Sequence, residues 1–400
     1  MTLLTYKGKY VITSTTSSQT TSSSLQDDPQ ASQIFTLSAT QVVLVIYAAN
    51  NTHGQAMPAT GMLNAISVDA ADKANSWDGE GGANFCVRNC IFWIGTLAAG
   101  QHTVKGRFAS NTSGSTCTIN NRVLLIYIFD GDEFQYVDNA TLQTTTSASF
   151  VDDSYASVTF TPTAACVLLA LYNAANMNTT KEASDGKVTA INIAGSDYAQ
   201  AEKSGGYKNF DSIFTVHALS RTAISTTVKG RFHVATSGTA VIDRRQLAVL
   251  LIDDTVPFDI VTSTTQVSNN TGNLIDDTQC TITRTPASAS ELLVIAMGTK
   301  RNGGSSSQYG HRYGIKVDAN DRTNSCGAPG QGYGTAGHSA ATAWAESVTA
   351  AEHIIKGRFS NNYSTQTAYV DARQVVALWF TGGVAPPTVT TDAATNLGLD

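Results

Sequence analysis

Two kinds of hydrophobic pattern run along this chain. The first is the solid apolar run: Val42-Val43-Leu44-Val45-Ile46, Val167-Leu168-Leu169-Ala170-Leu171 and Leu292-Leu293-Val294-Ile295. The second is strict alternation, clearest in Thr103-Val104-Lys105-Gly106-Arg107-Phe108. There Thr103, Lys105 and Arg107 share one face of a strand, and Val104, Gly106 and Phe108 share the other. Runs rich in Val, Ile, Leu and Tyr are bounded by turn clusters such as Asn111-Thr112-Ser113-Gly114, Thr236-Ser237-Gly238 and Asp78-Gly79-Glu80-Gly81-Gly82. No window of a dozen residues keeps a 3.6-residue period, so the pattern predicts an all-β protein.

The pattern is written three times. Lys-Gly-Arg-Phe occurs at Lys105–Phe108, Lys229–Phe232 and Lys356–Phe359, at spacings of 124 and 127 residues. Other landmarks keep step with it. An acidic pair precedes each copy: Asp27-Asp28, Asp152-Asp153 and Asp276-Asp277. An isoleucine segment leads to an aspartate, from Ile66 to Asp72, Ile191 to Asp197 and Ile315 to Asp321. An arginine opens each last apolar run, at Arg122, Arg245 and Arg373. A period this long is one small domain rather than a solenoid repeat. The expected division is residues 1–130, 131–254 and 255–382, followed by an extended tail over 383–400.

Several short strands per module indicate a β-sandwich or jelly roll. The inward glycine of Lys-Gly-Arg-Phe leaves room for a bulky neighbour from the facing sheet. The solid apolar runs need cover on both faces, which an antiparallel sheet with one wet face does not provide. One face is the module's own core; the other is assigned to a neighbouring copy. The connections are short, from Phe129 to Phe134-Gln135-Tyr136 and from Ile252 to Phe258-Asp259-Ile260, which excludes flexible tethers. A compact single-chain pseudo-trimer is therefore expected.

These modules resemble the jelly-roll domains of the tumour-necrosis-factor and C1q type, especially their relatives in phage tail and head fibres. The resemblance is carried by the Ser149-Phe150-Val151-Asp152 step, by Leu97-Ala98-Ala99-Gly100-Gln101-His102-Thr103-Val104, and by the apolar closing strand. It implies packing about a threefold axis, there usually with three chains instead of one. The tail from Gly382 to Asn396 resembles linkers that introduce fibronectin-like domains.

Composition then narrows the function classes. Hydrophobic residues make up 42% and charged residues only 14%, against about 25% in an average soluble protein. The net charge of −6 argues against phosphate-neutralising nucleic-acid binding. No stretch approaches about 18 apolar residues, so no membrane insertion by a helix is expected. The first residues lack an apolar signal core, so assembly in a cytoplasm, or removal of a leader, is expected. The six cysteines (Cys86, Cys90, Cys117, Cys166, Cys280, Cys326) ignore the repeat and are expected as free thiols. A local disulfide among Cys86, Cys90 and Cys117 stays open, and no second pair completes a zinc set.

Candidate chemistry is sparse. No Gly-x-Ser-x-Gly, His-Glu-x-x-His or Gly-Lys-Thr phosphate motif appears, so no enzyme is expected. No cofactor is expected; calcium held by Asp69 and Asp72, or by Asp318 and Asp321, is the one candidate, and Ala194 in the second module weighs against it. His102 and His353 stand at matching positions where the second module has Thr226, and are expected to be ordinary surface or core residues. The acidic pairs read as turn formers. Arg107, Arg231 and Arg358, with Arg122, Arg245 and Arg373, are candidates for contacts between modules, where a planar guanidinium suits buried pairing. Trp77, Tyr207, Tyr309, Tyr333 and Trp344 lie in Gly-rich stretches and are candidate ligand-binding loop residues. The leading expectation is a virion structural protein (decoration, fibre or tail/spike component) with other virion subunits as partners, and in some settings a host-surface glycan. The alternative is an extracellular or cell-surface adhesin or carbohydrate-binding protein.

Overall fold

A computed structural model describes residues 2–53, 62–78, 86–110, 114–178, 187–203, 211–235, 238–271, 273–302, 311–327, 338–361 and 367–382. The first third forms strands β1 (Thr5–Ser14), β2 (Ser18–Thr20), β3 (Gln26–Leu37), β4 (Gln41–His53), β5 (Met62–Val68), β6 (Ala71–Asp78), β7 (Cys86–Leu97), β8 (Gly100–Ser110) and β9 (Cys117–Asp130). The second forms β10 (Phe134–Asn139), β11 (Gln143–Thr145), β12 (Val151–Phe160), β13 (Cys166–Asn178), β14 (Lys187–Ile193), β15 (Ser196–Lys203), β16 (Asp211–Arg221), β17 (Thr226–Val234) and β18 (Ala240–Asp253). The third forms β19 (Phe258–Ser263), β20 (Val267–Asn269), β21 (Ile275–Arg284), β22 (Ser290–Asn302), β23 (His311–Val317), β24 (Asn320–Gly327), β25 (His338–Val348), β26 (His353–Asn361) and β27 (Ala368–Phe380).

The same topology appears three times. One sheet has the order β1-β9-β4-β7, and the facing sheet has the order β3-β8-β5-β6. The counterparts are β10-β18-β13-β16 with β12-β17-β14-β15, and β19-β27-β22-β25 with β21-β26-β23-β24. Every pairing between these strands is antiparallel. Chain-distant strands sit side by side and, apart from the β5–β6 hairpin and its counterparts, successive long strands switch sheets, which is the jelly roll. The chain is thus all-β in the described residues, as the period-two pattern predicts.

Strand parity explains the solid apolar runs. On β4, Val43, Val45, Tyr47 and Ala49 point between the two sheets of the first module. Val42, Leu44, Ile46 and Ala48 point the other way, into a second core. That second core also takes Val167, Leu169 and Leu171 from β13, and Leu293, Ile295 and Met297 from β22. It draws on Tyr127 and Phe129 of β9, Leu250 and Ile252 of β18, and Leu378 and Phe380 of β27 as well. Each doubly apolar strand therefore feeds its own sandwich on one side and a core shared by all three modules on the other. The sheets holding Lys-Gly-Arg-Phe lie on the far side of each sandwich.

Within each sandwich the inward glycine has the partner that its parity demands. A Cβ on Gly106 would stand 2.6 Å from the Tyr47 ring, and one on Gly230 would stand 2.4 Å from Tyr172. Both tyrosines come from the facing sheet. The third module solves the same problem differently: Ala296 takes the tyrosine's position on β22, and Tyr313 of β23 covers Gly357 and Gly298. Gly230→Ala is expected to destabilise the protein by about 1–3 kcal/mol through overpacking. A denaturant midpoint equal to the parent's would show that the Tyr172 ring can give way.

Candidate functional site

The landmarks that repeat in sequence converge on one network per module. In the first, β8 runs beside β3 and β5, so Arg107 lies opposite both Asp27 and Ala65. Lys105 Nζ meets Asp27 at 2.6 Å, Arg107 Nε meets Asp27 at 3.0 Å, and Arg107 Nη1 meets Asp72 at 2.8 Å. Arg107 Nη2 also donates to the Leu25 carbonyl at 2.7 Å. The second module repeats this with Lys229, Arg231, Asp152 and Asp197. The third repeats it with Lys356, Arg358, Asp276 and Asp321, and adds Lys316. The hydrogen bond from Lys105 and the guanidinium of Arg107 hold the Asp27 carboxyl below its ordinary range. These pairs are half exposed.

The second aspartate of each pair goes inward. The β3–β8 register shifts between Asp27 and Ser32, and this bulge lets Asp28 turn into the sandwich. Its Oδ1 accepts the Gln30 N–H at 3.1 Å, an Asx turn, so the turn-forming reading covers part of its role. Its Oδ2 accepts from Tyr47 Oη at 3.0 Å and pairs with Arg122 Nε at 2.6 Å. Both charged side chains are 0% exposed. Asp153 does the same with Arg245 at 2.8 Å and Tyr172 at 2.9 Å, and Asp277 pairs with Arg373. Burial pushes the Asp28 and Asp153 carboxyls up, against the pull of the arginines.

This corrects one expectation. Among the described residues, Arg107, Arg231, Arg358, Arg122, Arg245 and Arg373 do not join modules: every partner seen for them lies in their own module. The physical reason is topological. The repeated landmarks sit on strands that neighbour one another inside each jelly roll, so a repeated charge finds a repeated countercharge at home.

The other candidates are also placed. Asp72 and Asp321 are engaged by Arg107 and Arg358, while Asp69 and Asp318 accept from His102 at 2.8 Å and His353 at 2.9 Å. Both aspartates have positive φ, 49° and 56°, in the tight turns that open β6 and β24. In the second module Ala194 and Thr226 replace this pair together. Among the described residues no group of three or more metal-ligating side chains is found. Cys90, Cys117, Cys166 and Cys280 are buried free thiols, whereas the side chains of Cys86 and Cys326 lie outside the described set.

Trp344 is not a loop residue. It lies on β25, packed against the third module's core with Arg322 over its ring at 6.0 Å. Register makes Trp93 and His217 its counterparts: they face Val45 and Ala170 as Trp344 faces Val294. Trp77 falls in β6, with its side chain outside the described set; Tyr207, Tyr309, Tyr333 and the tail 383–400 lie outside the described residues.

The contacts that do join modules come from residues the sequence reading passed over. Between the first and second, Gln246 Nε2 donates to the Asn75 carbonyl at 2.7 Å, Arg244 donates to the Asn75 side chain, and Leu4 bridges to Ile252. Between the second and third, Gln374 Nε2 meets His217 Nδ1 at 3.0 Å. Between the third and first, Arg88 Nη2 donates to Thr342 Oγ1 at 3.0 Å, Tyr127 Oη donates to the Leu292 carbonyl at 3.2 Å, and Lys9 pairs with Glu291 at 2.5 Å. Tyr6 stacks on Phe380 at 4.9 Å, and Phe92 meets Phe214 edge-on at 5.8 Å. The contacting strands follow one rule: β6 and β7 lie against β13, β16 and β18; β15 and β16 against β22, β25 and β27; β24 and β25 against β4, β7 and β9.

No family model matches the chain, and no curated protein matches it in sequence. Among solved structures, PNGF-II is 8% identical with a TM-score of 0.29, covering 85% of this chain and 99% of that one. A structure described as the triple jelly roll fold and turret assembly in an archaeal virus is 11% identical with a TM-score of 0.18, covering 94% and 92%. The CBM22-1–CBM22-2 tandem domain of Xyn10C from Paenibacillus barcinonensis is 9% identical with a TM-score of 0.18, covering 61% and 92%. At such scores none of these likenesses bears on what the chain does.

Proposed function

We propose that this protein is a single-chain jelly-roll trimer that acts by assembly rather than catalysis, as a structural component of a virion. The shared core carries this reading. It takes one apolar sheet face from each module and is touched by all three. The contacts between the third and first modules close the set, because a row of beads would join only neighbours in sequence. The repeated charged residues are spent inside the modules, in pairs that stiffen each sandwich. Such a body suits a decoration, fibre or tail/spike component, with other virion subunits as its partners.

Two measurements test the reading at its two levels. Solution scattering is expected to give a radius of gyration of about 21 Å, the value for a compact chain of this length. A much larger, elongated particle would leave three beads in a row. Antibodies raised against the protein are expected to label purified particles from the source that makes it. Labelling of cell surfaces alone would move the protein to the adhesin class.

A further inference from the structure

The contact between the third and first modules differs in chemistry from the other two, and it joins modules that are not consecutive in the chain. Residues 131–133 and 254–257 tie the first module to the second and the second to the third. Lys9 lies on β1 and Glu291 on β22; both are buried, with relative exposures of 5% and 8%. Glu291 also accepts from Ser347 Oγ at 2.9 and 2.8 Å.

The register identifies the same positions elsewhere. Lys9 faces Tyr127, which is five residues after Arg122. Phe134 and Phe258 face Leu250 and Leu378, five residues after Arg245 and Arg373. Glu291 faces Phe380, just as Val42 faces Phe129 and Val167 faces Ile252, each seven residues after its arginine. One side of the contact is therefore Lys, Phe, Phe in the three modules, and the other is Val, Val, Glu. The phenylalanines pack against the shared core, and β10 and β19 lie beside β7 and β16 of the preceding module. At these equivalent positions the first two pairs of modules hold Phe and Val, whereas the third and first hold opposite charges in contact.

We propose that Lys9 and Glu291 are a closure code: the third module takes as its ring neighbour only a first module, so the set closes within one chain in one order. This rests on the closed-ring reading above. Any other neighbour would bury Glu291 against phenylalanine, or Lys9 against valine, and an unpaired buried charge is among the costliest features an interface can hold. A head-to-tail contact without such a code can add further copies without closing.

The test uses the full chain and four variants: Lys9→Phe, Glu291→Val, the two together, and the charge-reversed pair Lys9→Glu with Glu291→Lys. Each is unfolded, refolded at high concentration, and examined by light scattering and thermal melting. Each single variant is expected to melt below the parent. The Phe/Val double variant is expected to regain the parent's melting point, yet to show at least about tenfold more dimer and larger species. The reversed pair is expected to stay monomeric. A double variant with the parent's size distribution would overturn the proposal. So would single variants that melt with the parent, or a double variant that does not refold, since the other two contacts already hold Phe and Val. An elongated parent particle would overturn the ring itself, and that is read from the unmodified chain alone.

Discussion

Arg122→Met is expected to cost the protein about 3–5 kcal/mol of stability, the usual penalty for breaking a buried ion pair from one side. The substitution removes the group that faces Asp28 at 2.6 Å, at a site where both side chains are 0% exposed. Asp28 would keep the Tyr47 hydroxyl and the Gln30 N–H, but no countercharge. The Thr16 and Ile119 carbonyls and the Ser18 hydroxyl would lose their donor as well. Met fills much the same volume, so the loss reports charge and hydrogen bonding rather than a cavity. Arg245→Met and Arg373→Met should behave alike in their own modules. Arg107→Ala is the contrast. That arginine is 22% exposed and its partners Asp27 and Asp72 are 47% and 34% exposed, so its loss should cost no more than about 1 kcal/mol. Denaturant titration distinguishes the two, and equal costs would mean that burial is not what sets them apart. Adding Asp28→Leu to Arg122→Met should recover much of the loss, because no buried charge then remains.

The contrast also explains how much of the molecule its sequence reveals. Alternation and the solid runs were enough to indicate strands, the sandwich and the need for cover on two faces. The repeat was enough to align the modules, and strand parity correctly sent Gly106 and Gly230 toward a bulky ring. Repetition misleads for contacts between modules. A residue that occurs once per module, such as Arg107, meets partners that also occur once per module, and the jelly-roll order places those partners beside it. Apart from the paired Gln246 and Gln374, polar contacts between copies are written instead where the copies differ. Lys9 stands where the others have Phe134 and Phe258, Glu291 where they have Val42 and Val167, and Arg88 where the second module has Ser212. The useful signal is thus the polar residue that breaks the repeat at an otherwise apolar position. It becomes readable only after the register is known, because it depends on which of two faces a residue takes. Trp344 fails for a related reason: flanking glycines suggested a loop, but its counterparts Trp93 and His217 mark a strand position that holds a ring.

His217 is the repeat-breaking residue with the largest expected effect on pH dependence. Its site takes tryptophan in the other two modules; here an imidazole is stacked on Tyr198 at 4.2 Å and meets Gln374 of the third module. Gln374 Nε2 can only donate, so His217 Nδ1 carries no proton in this arrangement. Burial lowers the His217 pKa from 6.5 to about 4. The sign follows directly. Between those two pH values the unfolded chain holds a proton that the folded chain refuses, so stability falls as pH falls through the window. Nothing is lost above about pH 6.5, and the full loss, about 3 kcal/mol, is reached near pH 4. His102 works in the opposite direction: its pKa is raised, because Asp69 and the Ala98 carbonyl outweigh burial, so its contribution is present in acid and fades as pH rises. Asp27, Asp69, Asp276 and Asp318 have lowered pKa values and lose their contributions only in stronger acid. All of these are common to the parent and to His217→Gln, which cannot titrate and can still accept from Gln374. The difference in unfolding free energy between the two proteins should therefore change by about 3 kcal/mol from pH 7.5 to pH 4, with the parent the more acid-sensitive. Amide exchange in the parent should rise first along β16 and the facing part of β27, where protonation would strain the contact between the second and third modules. Parallel pH profiles for the two proteins would show that His217 takes up its proton without opening that contact.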